Sequence, residues 1–188
     1  RAKFVTSDKI IFSLLSNQLY YYDLKTNKVI YSKQISQSKF SHFKLDENKK
    51  RVVVADESGE LKVIDIKSGE IVKNYSGYNL DNVFQVDWKK NVIITAGQDR
   101  RTVVYNQGQP YFKSVNFLIY SCALSPSGKL ASFSSDEDNN VTVFNTKTKT
   151  ELFKLVGNKM TLSSMVFLNE NELFVASDDK KINNYKLK

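Results

Sequence analysis

The sequence predicts an all-β chain: a β-propeller of four-stranded antiparallel blades, about five repeats of it, with the ring incomplete. Three observations carry that expectation. A segment recurs in which a turn leads into a short strand that ends in an aromatic or aliphatic residue followed by Asp, Asn or Lys. It reads LLSNQLYYYD (14–23), ADESGELKVID (55–65), AGQDRRTVVYN (96–106), SSDEDNNVTVFN (134–145) and ASDDKKINNYK (176–186). Aligned on the last residue, the copies are 42, 41, 39 and 41 residues apart. Each interval also resolves into short runs of alternating or continuous apolar residues, and the runs are separated by short polar turns suited to antiparallel neighbours.

The first unit comprises AKFVTS (2–7), KIIFSLL (9–15), LYYYDL (19–24) and VIYSKQ (29–34). The second is SHFKLD (41–46), RVVVAD (51–56), LKVIDI (61–66) and IVKNYS (71–76), joined by ENKK, ESGE and KSGE. VFQVDW (83–88), VIITAG (92–97), TVVYNQ (102–107) and PYFKSV (110–115) form the third. The fourth runs YSCALS (120–125), KLASFS (129–134), VTVFN (141–145) and ELFKLV (151–156). SSMVFLN (163–169), LFVASD (173–178) and INNYKLK (182–188) make a fifth unit without a fourth strand. Approximate blades are therefore 1–36, 37–78, 79–117, 118–159 and 160–188 of one propeller segment. Runs such as RVVVA and VIITA are continuous because both faces of an interior blade are covered. Blades bury their faces against neighbours, so a fifth blade lacking its last strand is expected to belong to a larger ring.

Composition agrees. The chain has 188 residues, 41% of them hydrophobic, with two Pro and abundant Tyr and Phe, as a globular protein requires. No apolar stretch approaches the roughly 20 residues needed to cross a bilayer as a helix. The lone Cys122 cannot form an intramolecular disulfide, which favours a reducing, cytoplasmic setting. The chain starts at Arg1, not Met, which leaves open an upstream signal and a periplasmic location.

Catalytic and metal chemistry find little support. One His and one Cys are too few for the usual zinc ligand sets. Asp136, Glu137 and Asp138 lack the sixth-position Gly of a calcium loop and have Lys147 where its final Glu would be. No Gly-x-Ser-x-Gly elbow occurs. His42 reads as a packed strand residue and Cys122 as a small buried hydrophobe. No catalytic residue, metal ligand or cofactor is expected.

The repeats resemble the WD40 β-propeller family, in a degenerate form with a bacterial look. In that family an Asp in the turn before the third strand precedes the strand's aromatic residue by six positions. Here Asp99 precedes Tyr105, Asp138 precedes Phe144 and Asp179 precedes Tyr185 at that offset. The first two units depart, with Ser16 before Tyr22 and Ser58 before Ile64. The family's Gly-His is also missing, since no His follows Gly77 or Gly157, so the turn Asp residues need other partners. The resemblance implies a noncatalytic scaffold that binds a protein or peptide, with Asp99, Asp138 and Asp179 as structural turn residues.

Propeller topology sorts the loops onto two faces. Loops between blades, and between second and third strands, share one face and carry Tyr78, Arg100, Arg101, Phe117, Leu118 and Met160. These residue types concentrate binding energy at interfaces and are the candidate partner-binding set. The other turns carry most of the net charge of +8, including Lys49, Lys50, Lys89 and Lys90. Alternative readings are a nucleic-acid-binding propeller using that basic face, an enzyme with its active residues in further blades, and an accessory or assembly factor for a bacterial redox enzyme such as periplasmic nitrate reductase.

Overall fold

Each unit folds into its own antiparallel sheet in the computed structural model, which describes residues 1–188. Blade 1 holds β1 (Ala2–Phe4), β2 (Lys9–Ser13), β3 (Gln18–Asp23) and β4 (Lys28–Gln34). Blade 2 holds β5 (Phe40–Leu45), β6 (Arg51–Asp56), β7 (Leu61–Asp65) and β8 (Ile71–Tyr75). Blade 3 is β9 (Val83–Lys89), β10 (Val92–Gly97), β11 (Arg101–Tyr105) and β12 (Tyr111–Ser114). Blade 4 is β13 (Cys122–Leu124), β14 (Leu130–Ser134), β15 (Val141–Asn145) and β16 (Glu151–Leu155). The fifth sheet has three strands, β17 (Leu162–Asn169), β18 (Glu172–Ser177) and β19 (Lys181–Lys186).

Spatial order follows chain order in every sheet, because turns of a few residues can only return a strand beside its predecessor. The Asp or Asn that closes the first four recurring segments has a local reason. Asp23 Oδ1 accepts from the backbone N–H groups of Lys25 and Thr26, Asp65 Oδ1 from Ser68, Asn106 Oδ1 from Gly108, and Asn145 Oδ1 from Lys147 and Thr148. Such Asx turns fix the hairpin between third and fourth strands. The bonds, foremost those from Thr26 and Ser68, also hold the Asp23 and Asp65 carboxyls below the usual carboxylate range.

The core lies at the seams between blades. Ile11 and Leu19 of blade 1 pack on Phe43, Val52 and Ile64 of blade 2. Val53, Leu61 and Val63 pack on Val86, Trp88 and Tyr105 across the next seam. Ile94 and Val104 meet Leu124, Phe133 and Phe144, and Val141 and Val143 meet Met165, Phe167 and Val175. The first strands β5, β9, β13 and β17 touch in succession, so they line the axis, while β4, β8, β12 and β16 form the exposed rim. The array is open at both ends. In the repeat register, Phe4 corresponds to the buried Leu124 and Ile182 to the buried Val141, yet Phe4 is 59% and Ile182 71% exposed.

Each of three first strands carries an extra residue at its loop end. Pairing skips Ser41 in β5, Phe84 in β9 and Ser163 in β17. A bulge of this kind turns its side chain away from the ladder. Here it shapes the mouth of the axis.

Candidate interaction surfaces

The loop face is pinned by backbone bonds that tie interblade loops to the turns between second and third strands. Gln98 N–H donates to Asn82 O at 2.8 Å, Ile119 N–H to Gly97 O at 3.3 Å, and Asp178 N–H to Thr161 O at 3.0 Å. Side chains reinforce them. At blade 3, the buried Asn79 donates through Nδ2 to the Tyr105 hydroxyl at 2.8 Å and accepts at Oδ1 from Thr95 Oγ1 at 2.7 Å. Thr95 Oγ1 in turn accepts from Val103 N–H at 3.1 Å. Burial pushes the Tyr105 phenol well above its ordinary pKa, so it stays neutral.

Asp99 accepts from Arg101 N–H at 3.1 Å and from Leu80 N–H at 2.8 Å, joining the turn to the preceding loop. Asp179 accepts from Lys181 N–H at 3.1 Å and Ser177 Oγ at 2.5 Å, and the Ser177 bond leads in holding its carboxyl below the usual range. The reading of Asp138 needs correction. Its side chain is exposed, and Asp136 takes the turn role instead, accepting from the Asn140 N–H and Nδ2, both at 3.0 Å, and pairing with Lys154 at 3.1 Å. The turn between β14 and β15 is longer than its counterpart in blade 3, so counting back from the aromatic residue lands on the wrong carboxylate.

Two further polar connectors are residues that sequence reasoning missed. Asp56 is buried at the end of β6 and accepts from Asn17 Nδ2, Ser36 Oγ, Ser58 Oγ and Ser58 N–H. Asn158, directly after Gly157, accepts from Asn183 Nδ2 at 2.8 Å and donates to Asn139 O at 3.0 Å. Asn79 and Asn158 stand near the family's His position. An Asn close after each loop Gly was the signal that could have found them.

The six candidate partner-binding residues all lie in these loops or at their edges, in differing states. Met160 is 51% exposed and Arg100 is exposed in a left-handed turn at φ 64°. Tyr78 is half-buried with its ring edge on Tyr105, and the Arg101 guanidinium lies 4.4 Å from the Phe112 ring centroid. Phe117 and Leu118 are half-buried, and Phe117 meets Tyr120 edge-on at 6.2 Å. Two neighbours were not anticipated. The bulge residue Phe84 stacks on Tyr120 with ring centroids 5.5 Å apart, and Leu80 is largely exposed. Phe84, Phe117 and Tyr120 thus form one aromatic shelf spanning the seam of blades 3 and 4.

The axis holds the chain's reactive side chains in structural roles. His42 Nδ1 accepts from Val86 N–H at 3.3 Å, linking β5 to β9, and its Nε2 faces the Arg1 guanidinium. Burial, with Arg1 and Lys44 nearby, lowers its pKa to about 3. Asp87 accepts from Leu124 N–H at 2.9 Å and pairs with Lys44 at 2.8 Å, linking β9 to β13. Cys122 is fully buried, and burial raises its thiol pKa. Both His42 and Asp87 hold one first strand against the next.

Seam packing, an open array of meander sheets and an axis lined by first strands define a β-propeller segment. The family described as the anaphase-promoting complex subunit 4 WD40 domain matches residues 5–91. Among solved structures, a chain in the crystal structure of the mitotic checkpoint complex superposes with a TM-score of 0.83 at 12% identity, covering 96% of this chain and 58% of that one. The β-propeller domain of Myceliophteria thermophila Cps50 (Swd1) gives 0.83 at 12% identity, covering 100% of this chain and 69% of that one. No curated protein matches. The chain has the β-propeller fold, its residues 5–91 match a WD40 family model, and it spans a little over half the length of the first of these similar chains. WD40 propellers are in general noncatalytic interaction scaffolds that bind proteins or peptides.

Proposed function

We propose that this chain is a noncatalytic scaffold that captures a protein or peptide on its loop face, through Tyr78, Arg100, Arg101, Phe117, Leu118 and Met160 around the Phe84–Tyr120 shelf. The observation that carries this reading is the fixed placement of exposed Leu80 and Met160 and half-buried aromatic groups on loops tied down by buried networks. A surface already ordered loses little side-chain entropy on binding, so its apolar area is available for affinity. Large apolar side chains such as Leu80 and Met160 that face water in loops suit recognition better than stability.

Affinity capture from cells of the source, with bound proteins identified by mass spectrometry, tests it. One variant combines Arg100→Glu, Leu118→Ser and Met160→Glu; another reverses Lys49, Lys50 and Lys89 on the basic face. The expected result is a partner retained by the basic-face variant and lost with the loop-face variant, while both keep the parent's circular dichroism. A captured set unchanged by the loop-face variant would sink the reading.

A further inference from the structure

The opposite end of the blades carries a groove that loop-face recognition does not use. Two adjoining cavities of about 300 and 460 Å³ share Lys90, Asn91, Asn106 and Gln107, so they run together from the seam of blades 2 and 3 to that of blades 3 and 4. Arg51, Lys73, Lys90 and Lys147 line this groove, and no carboxylate does. The first cavity has an apolar wall that includes Val63, Val72, Tyr75 and Trp88, with Val72 half-exposed. The amides of Asn91, Asn106 and Gln107 lie where the two cavities meet, each able to donate and accept.

Four cations with no carboxylate in the lining of these two cavities, Asp46 and Glu47 lying in an adjoining cavity that shares Arg51 and Lys90, favour an anionic ligand. Their present partners are weak competitors. Lys90 pairs with Glu47 at 3.1 Å at an exposed rim, and Lys73 lies 4.6 Å above the Tyr75 ring. Exposed pairs of this kind contribute little and exchange readily. The apolar wall then separates the classes of anion. A single-stranded nucleic acid needs several open aromatic faces for its bases, but Trp88 and Tyr105 are buried, which leaves the half-buried Tyr75 alone. A peptide can place an apolar side chain in the first cavity, its backbone against the amides and its carboxylates against the cations.

We propose that this groove binds an acidic peptide segment with an apolar anchor, as a second site independent of the loop face. The probe is a short fluorescein-labelled peptide of glutamates around a central Leu-Phe pair, titrated by anisotropy against the full chain. Controls are the glutamine analogue and an oligothymidylate of similar length. Saturable binding of the glutamate peptide is expected to weaken as salt rises, because the contacts are exposed charges. The triple reversal Arg51→Glu, Lys90→Glu, Lys147→Glu should weaken it by about tenfold or more. Val72→Asp should weaken it too, by placing a carboxylate in the anchor cavity, whereas the Leu118→Ser/Met160→Glu loop-face variant should bind as the parent does. All the substituted groove side chains are exposed, and circular dichroism checks that each variant folds. Equal binding of the glutamine analogue, tighter binding of the oligothymidylate, indifference to the triple reversal, or no saturable binding up to about millimolar protein would each overturn the proposal. The loop-face variant's own capture result bears only on the other face, so the two readings fail separately.

Discussion

Asn79→Ala should be among the most costly single polar substitutions in this chain, and its cost should depend on Tyr105. Asn79 is 2% exposed and makes two short neutral hydrogen bonds, at 2.8 Å to the Tyr105 hydroxyl and 2.7 Å from Thr95 Oγ1, beside a long one of 3.5 Å to Gly59 O. Each is worth about 1 kcal/mol net, and the Tyr105 hydroxyl left buried without its donor adds about 1 kcal/mol more. The expected loss is therefore about 3 kcal/mol. Thr95 Oγ1 keeps its bond from Val103 N–H and adds no further penalty. Tyr105→Phe removes one bond and strands less, for about 1 kcal/mol. The double variant removes both bonds but leaves no orphan hydroxyl, so it should cost about 2 kcal/mol, less than the sum of the singles. Trp88, the single Trp, packs in the same cluster as Tyr105, so its fluorescence in urea melts reports this seam directly. Additive costs across the cycle, or a single Asn79→Ala loss below about 1 kcal/mol, would refute the account of Asn79 as the blade's buried connector.

The blades were legible because a repeat multiplies weak local signals. One short apolar run is ambiguous between strand and buried helix, but the same run at a steady interval of about 40 residues is not. The seams followed from this, since Ile94 and Val104 must point to the face opposite Ile93 and Tyr105. What stayed hidden depends on geometry that period and spacing do not encode. Phe84 joins the aromatic shelf only because pairing skips it, and the run Val83–Val86 does not by itself show which residue the ladder leaves out. Asp136 displaced Asp138 because the long turn closes between Ser135 and Asn140, which puts Asp136 where both Asn140 groups can reach it. Asn79 acts through hydrogen bonds to residues 16 and 26 positions away, a relation that only the folded seam brings together.

The remaining predictions use the same logic. Asp99→Ala should cost about 1.5–3 kcal/mol by freeing the Leu80 and Arg101 N–H groups, while Asp138→Ala should stay within about 0.5 kcal/mol, as thermal melts of the two variants will show. Gly59→Ala should destabilise by more than about 1 kcal/mol in urea, because φ is +85° and the new Cβ would stand 2.7 Å from Asn79 O; a neutral result would mean that the loop yields. His42 should make stability depend on pH above the carboxylate range. Its folded pKa of about 3 lies below the ordinary 6.5, because burial and the neighbouring cations Arg1, Lys44 and Lys3 disfavour the charged ring. Between those values the unfolded chain binds a proton that the folded chain refuses, so the contribution is complete above 6.5 and is lost as pH falls toward 3. The slope this adds is at most about 1.4 kcal/mol per pH unit. His42→Asn keeps an acceptor for Val86 N–H but cannot take the proton, so its urea midpoint should fall less than the parent's between about pH 6.5 and 5. Parallel midpoints over that window would mean that the axis opens enough for His42 to ionise in the folded chain.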